Sequence, residues 1–230
     1  MNYLWVVMPV YNEEECIARV IQEWLKELRR YQFKFTLCVI NDGSNDNTPL
    51  ILKELAGSEK ELFIVNKKNT GHGQSCLEGY KLGLDHQAEW IFQIDSDGQC
   101  DPRFFKEVLI ESEMYPIVYG FRKTREDGFK RSYISHIIPV FIFIRTGVYV
   151  RDPNVPYRLM KSYTLKNIIN KVPPDLYLVN ILIAVLQKKS YDIKWVNIHF
   201  RNRFGGQSTV KNITFIKQGF NFFTHLKLVK

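Results

Sequence analysis

Short, almost wholly apolar runs alternate along the first half of the chain with stretches whose apolar residues recur three or four positions apart. The run "YLWVVMPV" at 3–10 has the composition of a strand buried on both faces, as in a parallel sheet. Beyond it Ile17, Val20, Ile21, Trp24, Leu25 and Leu28 share one side of a helix, with Asn12 as its cap and Glu13, Glu14 and Glu15 near its positive end. The alternation continues through "FTLCVI" (35–40), a helix from about Thr48 to Ala56, "LFIV" (62–65), a helix from about Gln74 to Leu84, and "WIFQI" (90–94). Beyond "IVYGFR" (117–122) and "DPNVPYRLM" (152–160), two helices and a strand near "DIKWVNIHF" are expected. Strands alternating with helices predict an α/β fold with a parallel sheet and right-handed crossovers. Such sheets bind ligands beyond the carboxyl ends of their strands, so the chemistry is expected in the loops that follow them.

Those loops are polar: "YNEEE", "NDGSNDNT", "NKKNTGHG" and "DSDGQCDP", in chain order. The last places Asp95 and Asp97 one residue apart after a buried run, where they repel each other. A divalent cation between them and a ligand would relieve the repulsion, because magnesium and manganese take carboxylate oxygens and complete their shells with phosphate. A turn or helix cap explains the neighbouring Asp101-Pro102 equally well. "NTGHGQS" lacks the third glycine of a dinucleotide loop and follows the wrong strand for one. His72 within it reads as a solvated or orienting donor before a catalytic base.

The length of 230 residues, with 45% hydrophobic and 14% aromatic content, suits one globular domain over residues 1–230. The net charge of +8 hides an asymmetry: residues 1–119 carry 12 Lys/Arg against 19 Asp/Glu, and residues 120–230 carry 20 against 5. A basic half beside an acidic one fits a phosphate-bearing partner, with a solvated basic surface as the plain alternative. The four cysteines have no zinc-ligand spacing and read as reduced thiols of a cytoplasmic protein. The N-terminus has no basic region of a signal peptide, and the uncharged run "IIPVFIFI" (137–144) falls short of the roughly 20 residues of a spanning helix.

Taken in order and spacing, "VMPVYNEEECI", "VINDGSNDNT", "NTGHGQSCLEGYKLG" and "IDSDGQCDP" resemble the inverting family 2 glycosyltransferases of the GT-A fold, over roughly residues 3–208. "DSDGQCDP" is most similar to the segment found in polyprenyl-phosphate sugar transferases of the dolichol-phosphate mannose synthase type. The resemblance implies a manganese or magnesium ion on Asp95, Asp97 and Gln99, a nucleotide-diphospho-sugar donor, a nucleotide-binding half to about residue 119 and an acceptor-binding half beyond it. It also implies that Pro9, Tyr11, Asn12 and Glu13 border the nucleoside, that Asp42 meets the base, and that the loop with Gly71 and Gly73 closes over the donor. Where many relatives carry two Asp, this chain has Asn41 before Asp42.

By the same resemblance Arg122 matches a family arginine, and Arg131, Arg203 and Ser208 match the acceptor-loop arginine and the R-x-x-G-x-S tail. Arginine suits phosphate because its fork donates two parallel hydrogen bonds. A hydroxyl acceptor needs a carboxylate to take its proton, whereas a lipid phosphate is already ionised. Asp175 in "VPPDLYL" is the candidate base, with a helix start as its alternative, and Asp152 in "RDPNVPYRLM" is a positional or acceptor-side residue. Residues 130–147 and the tail "FIKQGFNFFTHLKLVK" mix cations with apolar side chains, which suits peripheral contact with the inner face of a membrane, core packing or a dimer contact. The expected activity is inverting sugar transfer to a polyprenyl phosphate. A glycan hydroxyl is the alternative acceptor, an idle sugar-nucleotide or phospholipid-binding module the rival class. No nucleic-acid motif is present to support a nucleic-acid partner.

Overall fold

A computed structural model describes residues 1–124, 139–174 and 176–205, the side chains of 123 and 124 excepted. β1 (Tyr3–Val10) is buried from Leu4 onward and pairs in parallel with β2 (Lys34–Asn41) on one side and β4 (Trp90–Ile94) on the other. β3 (Leu62–Asn66) adds to β2, again in parallel. The apolar composition of β1 follows from this central place: α1 (Ile17–Leu28) buries its apolar side and α3 (His72–Asp85) packs on β1, where Trp5 Nε1 donates to Gly79 O at 3.0 Å. A Cβ at Gly79 would collide with Val7, so glycine permits that close approach.

Three expectations at element ends are corrected. α1 starts at Ile17, and Asn12 is not its cap. Asn12 instead takes a left-handed φ of 54°, which asparagine tolerates, and its Oδ1 accepts Asn45 N at 2.8 Å. The loop after β1 is therefore tied to the loop after β2, and the Glu14 and Asp46 side chains reinforce it by exchanging bonds with Asn47 N and Glu14 N. α2 (Thr48–Ser58) runs past Ala56, and α3 begins at His72, two residues before Gln74.

The second half departs from a purely parallel sheet. α4 (Phe105–Glu111) leads to β5 (Ile117–Thr124), residues 139–146 form helix α5, and the chain returns as β6 (Tyr157–Lys161). β6 inserts antiparallel between β4 and β5. Then come α6 (Ser162–Lys166), α7 (Val179–Ser190) and β7 (Lys194–His199), parallel to β5. The strand order is β3-β2-β1-β4-β6-β5-β7, so the winding reverses between β1 and β4 and the carboxyl ends of both open on the same rim.

β6 carries a fully buried arginine. Arg158 donates to the carbonyls of Pro153, Val155 and Asn180 at 2.6–2.7 Å and lies over the Tyr119 ring. It thereby pins the rim loop before β6 to the start of α7. Arg158→Met removes the charge and the donors to the Pro153 and Val155 carbonyls, each loss costing about 1–3 kcal/mol, and the second bond to Asn180 O. The variant is expected to lose roughly 3 kcal/mol in urea denaturation; an unchanged midpoint would show that the guanidinium does not hold the loop.

Candidate active site

Three loops converge where the winding reverses: residues 11–16 after β1, 95–101 after β4, and a strap, 200–205, after β7. The strap is laced to the β4 loop. Arg201 N donates to Gln99 O and Phe204 N to Asp97 O, both at 3.1 Å, while Arg201 Nε donates to Gly98 O at 3.0 Å. Gly98 has a φ of 82° and lies directly under the Phe204 ring, so any Cβ there would strike it. Arg19 and Arg201 flank that ring at 3.8 and 4.6 Å.

This lacing delivers Arg203 to the acids. Its guanidinium bonds Glu13 Oε1 through one nitrogen and approaches Asp97 Oδ2 at 3.5 Å through another, while Nε donates to Gly205 O. Asp97 Oδ1 accepts Gln99 N at 3.0 Å, and Gln99 Nε2 lies 3.4 Å from Arg201 O. Burial pushes the Glu13 carboxyl up to about 7, opposed by Arg203 and reinforced by Asp97 and Asp95. Burial, then the Asp95 charge, raises Asp97 to about 6. Cys16 donates to Glu13 Oε2 at 3.3 Å, and burial followed by the Glu13 charge lifts its thiol to about 12. All four cysteines are buried and free.

Asp95 meets His72, whose Nε2 is 2.9 Å from Asp95 Oδ1. Burial works against charge on this imidazole, but Cys76 and Asp95 outweigh it and raise it well above the ordinary histidine range. Asp42 is buried and engaged on both oxygens, with Lys67 Nζ and Thr70 N on Oδ1 and Gly71 N at 2.8 Å on Oδ2. It therefore ties down the loop that leads into α3. Gly71, with a φ of 91°, and Gly73 sit against Tyr177, and a Cβ on Gly73 would meet the Tyr177 carbonyl. Pro9 is buried at the end of β1, and Tyr11 is half-buried beside it.

Arg122, at the end of β5, forms a two-point pair with Asp152 at 2.6 and 2.7 Å and lies 5.4 Å over Phe200. Arg131, Asp175 and Ser208 lie outside the described residues. Among the described residues no group of three His, Cys, Asp or Glu side chains is placed to hold a metal ion. The donors expected for one are two carboxylates and an amide, the short oxygen set of a hard cation that draws its other ligands from phosphate and water. The Arg203 guanidinium sits between Glu13 and Asp97, so a positive charge already faces these acids.

Sequence reasoning missed Arg201, Phe204, Lys67, Arg158 and Asn180, and gave His72 no contact with Asp95. A usable signal existed for two of them: Arg158 and Asn180 interrupt apolar runs, and a buried polar group must have partners.

A mainly parallel sheet flanked by helices, with acids gathered where its winding reverses, is the architecture of the GT-A class of nucleotide-sugar enzymes. The chain belongs to glycosyl transferase family 2, whose model matches residues 5–174. An undecaprenyl-phosphate 4-deoxy-4-formamido-L-arabinose transferase of Proteus mirabilis is 27% identical over 72% of this chain and 51% of its own length. A dolichyl-phosphate beta-glucosyltransferase of Trichomonas vaginalis is 27% identical over 68% of this chain and 53% of its own. The chain thus spans about half the length of these two relatives. An uncharacterized protein of Methanocaldococcus jannaschii is 28% identical over 90% of this chain and 93% of its own. Among solved structures, glucosyl-3-phosphoglycerate synthase from Mycobacterium tuberculosis, in complex with Mn2+, UDP-glucose and phosphoglyceric acid, shares the fold at a TM-score of 0.69. It is 17% identical, covering 99% of this chain and 80% of that one.

The raised Glu13 sets a pH dependence. Because its carboxyl titrates near 7 in the folded protein and near 4.5 as a free side chain, the folded state holds the extra proton between those values and stability falls as pH rises through that window. Melting temperatures measured from pH 5 to 8 should decline for the wild type and decline less for Glu13→Gln. Parallel curves would refute a protonated Glu13.

Proposed function

We propose that the protein transfers a sugar, with inversion, from a nucleotide-diphospho-sugar to a polyprenyl-phosphate-type lipid, with a divalent cation at the donor diphosphate. The observation that carries this reading is the acidic pocket of Glu13, Asp95 and Asp97 at the rim, already occupied by a guanidinium from the strap. Asp95, Asp97 and the Gln99 amide would hold the cation, which screens the charge that grows on the diphosphate as it leaves the anomeric carbon. Arg203 then turns from the acids to the phosphates, keeping its charge next to an anion throughout. Pro9, Tyr11 and Asn12 border the nucleoside. Asp42 fixes the loop with Gly71 and Gly73 against the donor.

Arg122 serves the acceptor. Its pair with Asp152 leaves further N–H donors on the guanidinium, and a phosphate acceptor is already ionised, so the attacking oxygen needs no base. Arg131 and Ser208 keep their expected acceptor-side places in this reading, and Asp175, the candidate base, has a proton to take only from a hydroxyl acceptor. α5 supports a lipid: Val140, Phe141, Phe143 and Ile144 are each at least half exposed, followed by Arg145 and then by the exposed Tyr149 and Arg151. Apolar side chains backed by arginines suit peripheral contact with an anionic membrane face. No helix among the described residues is long and apolar enough to cross a membrane.

A panel of UDP-, GDP- and CDP-sugars with manganese tests donor binding: the matching donor raises the melting temperature by mass action, and Asp97→Asn abolishes the rise. With labelled donor and a short polyprenyl phosphate, label moves into the butanol phase, and Asp97→Asn slows this by about 100-fold or more. Label released only to a soluble glycan would favour a hydroxyl acceptor. Donor-induced stabilisation with no turnover would favour the idle binding module. For the membrane contact, wild type should sediment with phosphatidylglycerol vesicles, and Phe143→Asp combined with Ile144→Asp should stay in the supernatant while donor stabilisation is retained.

A further inference from the structure

Asp95 is held from inside the protein by two relays of hydrogen bonds that meet on one oxygen. In the first, Tyr80 OH lies 3.0 Å from Gln93 Oε1, and Gln93 Nε2 lies 3.4 Å from Asp95 Oδ1. In the second, Asn180 Nδ2 donates to Cys76 Sγ at 3.5 Å, Cys76 Sγ lies 3.8 Å from His72 Nδ1, and His72 Nε2 lies 2.9 Å from Asp95 Oδ1. The relays meet at Tyr80, whose single hydroxyl proton serves either Gln93 Oε1 or Asn180 Oδ1, the latter also 3.0 Å away. Five side chains from α3, β4 and α7 thus close a ring on the Asp95 carboxylate at the rim.

The direction of the donors is set by chemistry. Asn180 offers an N–H to the sulfur, and whichever of Cys76 Sγ and His72 Nδ1 holds the proton between them, the Asp95 carboxylate has none to give, so His72 Nε2 carries its hydrogen toward Asp95. Gln93, Tyr80 and Cys76 are fully buried and Asn180 nearly so; none of them can exchange its partner for water. His72 is the member with an exposed side chain, and it opens α3 between Gly71 and Gly73. The ring engages Asp95 Oδ1 and leaves Oδ2 for a ligand.

We propose that His72 is a positioning residue: its Nε2–H, oriented by Cys76 and Asn180, fixes the rotamer of Asp95 so that Oδ2 is presented to the cation on the donor diphosphate. This rests on the metal-dependent reading above. A hydrogen-bond donor behind a metal-binding carboxylate typically changes metal affinity by about 10–100-fold. Leucine or phenylalanine at 72 would fill the space but give Asp95 no proton, whereas a glutamine amide supplies an N–H from a similar place.

Manganese titrations of the full chain in the presence of UDP, read from the electron paramagnetic resonance signal of free Mn2+, test the proposal without turnover. His72→Phe is expected to weaken binding by about tenfold or more, and His72→Gln to restore it to within about threefold of wild type. In the transfer assay the same loss should appear in the KM for manganese and not in kcat. Equal affinity in wild type and His72→Phe, or a failure of Gln to rescue Phe, overturns the positioning role while leaving the glycosyltransferase reading intact. Wild-type protein that binds neither manganese nor UDP overturns both. If His72→Phe does not fold, Tyr80→Phe, which loses the hydroxyl where the relays meet, should weaken manganese binding in the same direction; no change there rejects the proposal.

Discussion

The crowding of Glu13, Asp95 and Asp97 at the reversal of the sheet is the constraint to which the surrounding structure answers. Two of these carboxyls are almost wholly removed from water, and their mutual repulsion together with desolvation raises both. A buried charge persists only with partners, and the chain supplies one from nearby and one from far away in sequence: the Gln99 backbone N–H two residues beyond Asp97, and Arg203 from beyond β7. The path of the strap follows from that need. Its two arginines, the Phe204 ring and the bare backbone of Gly98 form one packed unit that brings a guanidinium to the acids.

Behind the rim the protein keeps a second set of polar groups in order. Arg158 ties three carbonyls together and so fixes the loop carrying Asp152, which in turn orients Arg122. Asn180 belongs to both systems, because its carbonyl accepts Arg158 while its side chain feeds the ring that ends on Asp95. The network that ends on Asp95 and the one that orients Arg122 therefore rest on one shared helix start. This places the chemistry on rigid backbone rather than on loops alone.

The two edges of the rim have different characters, and that difference suits a transfer reaction. On the β1 and β4 side the groups are acidic and buried, fit for a cation and a diphosphate. On the β5 side Arg122 and Asp152 form a two-point ion pair.

Much of the first half was legible in sequence because local rules decide it. The all-apolar β1, the periodic α1 and the polar loops after β1, β2, β3 and β4 each follow from burial and periodicity within a short window, and the Asp95–Asp97 spacing marks the rim. Element ends were less legible: Asn12 reads as a cap from its neighbours, yet the loop of Ser44 and Asn45, distant in sequence, claims it. β6 was not foreseen, because nothing within "YRLMK" specifies insertion between β4 and β5; only long-range pairing does. The same holds for the site. The sequence determined which residue types stand at the strand ends, whereas tertiary structure alone decided that Arg203 reaches Glu13, that His72 reaches Asp95 and that Asn180 lies behind both, since each contact joins segments whose separation only the folded sheet closes.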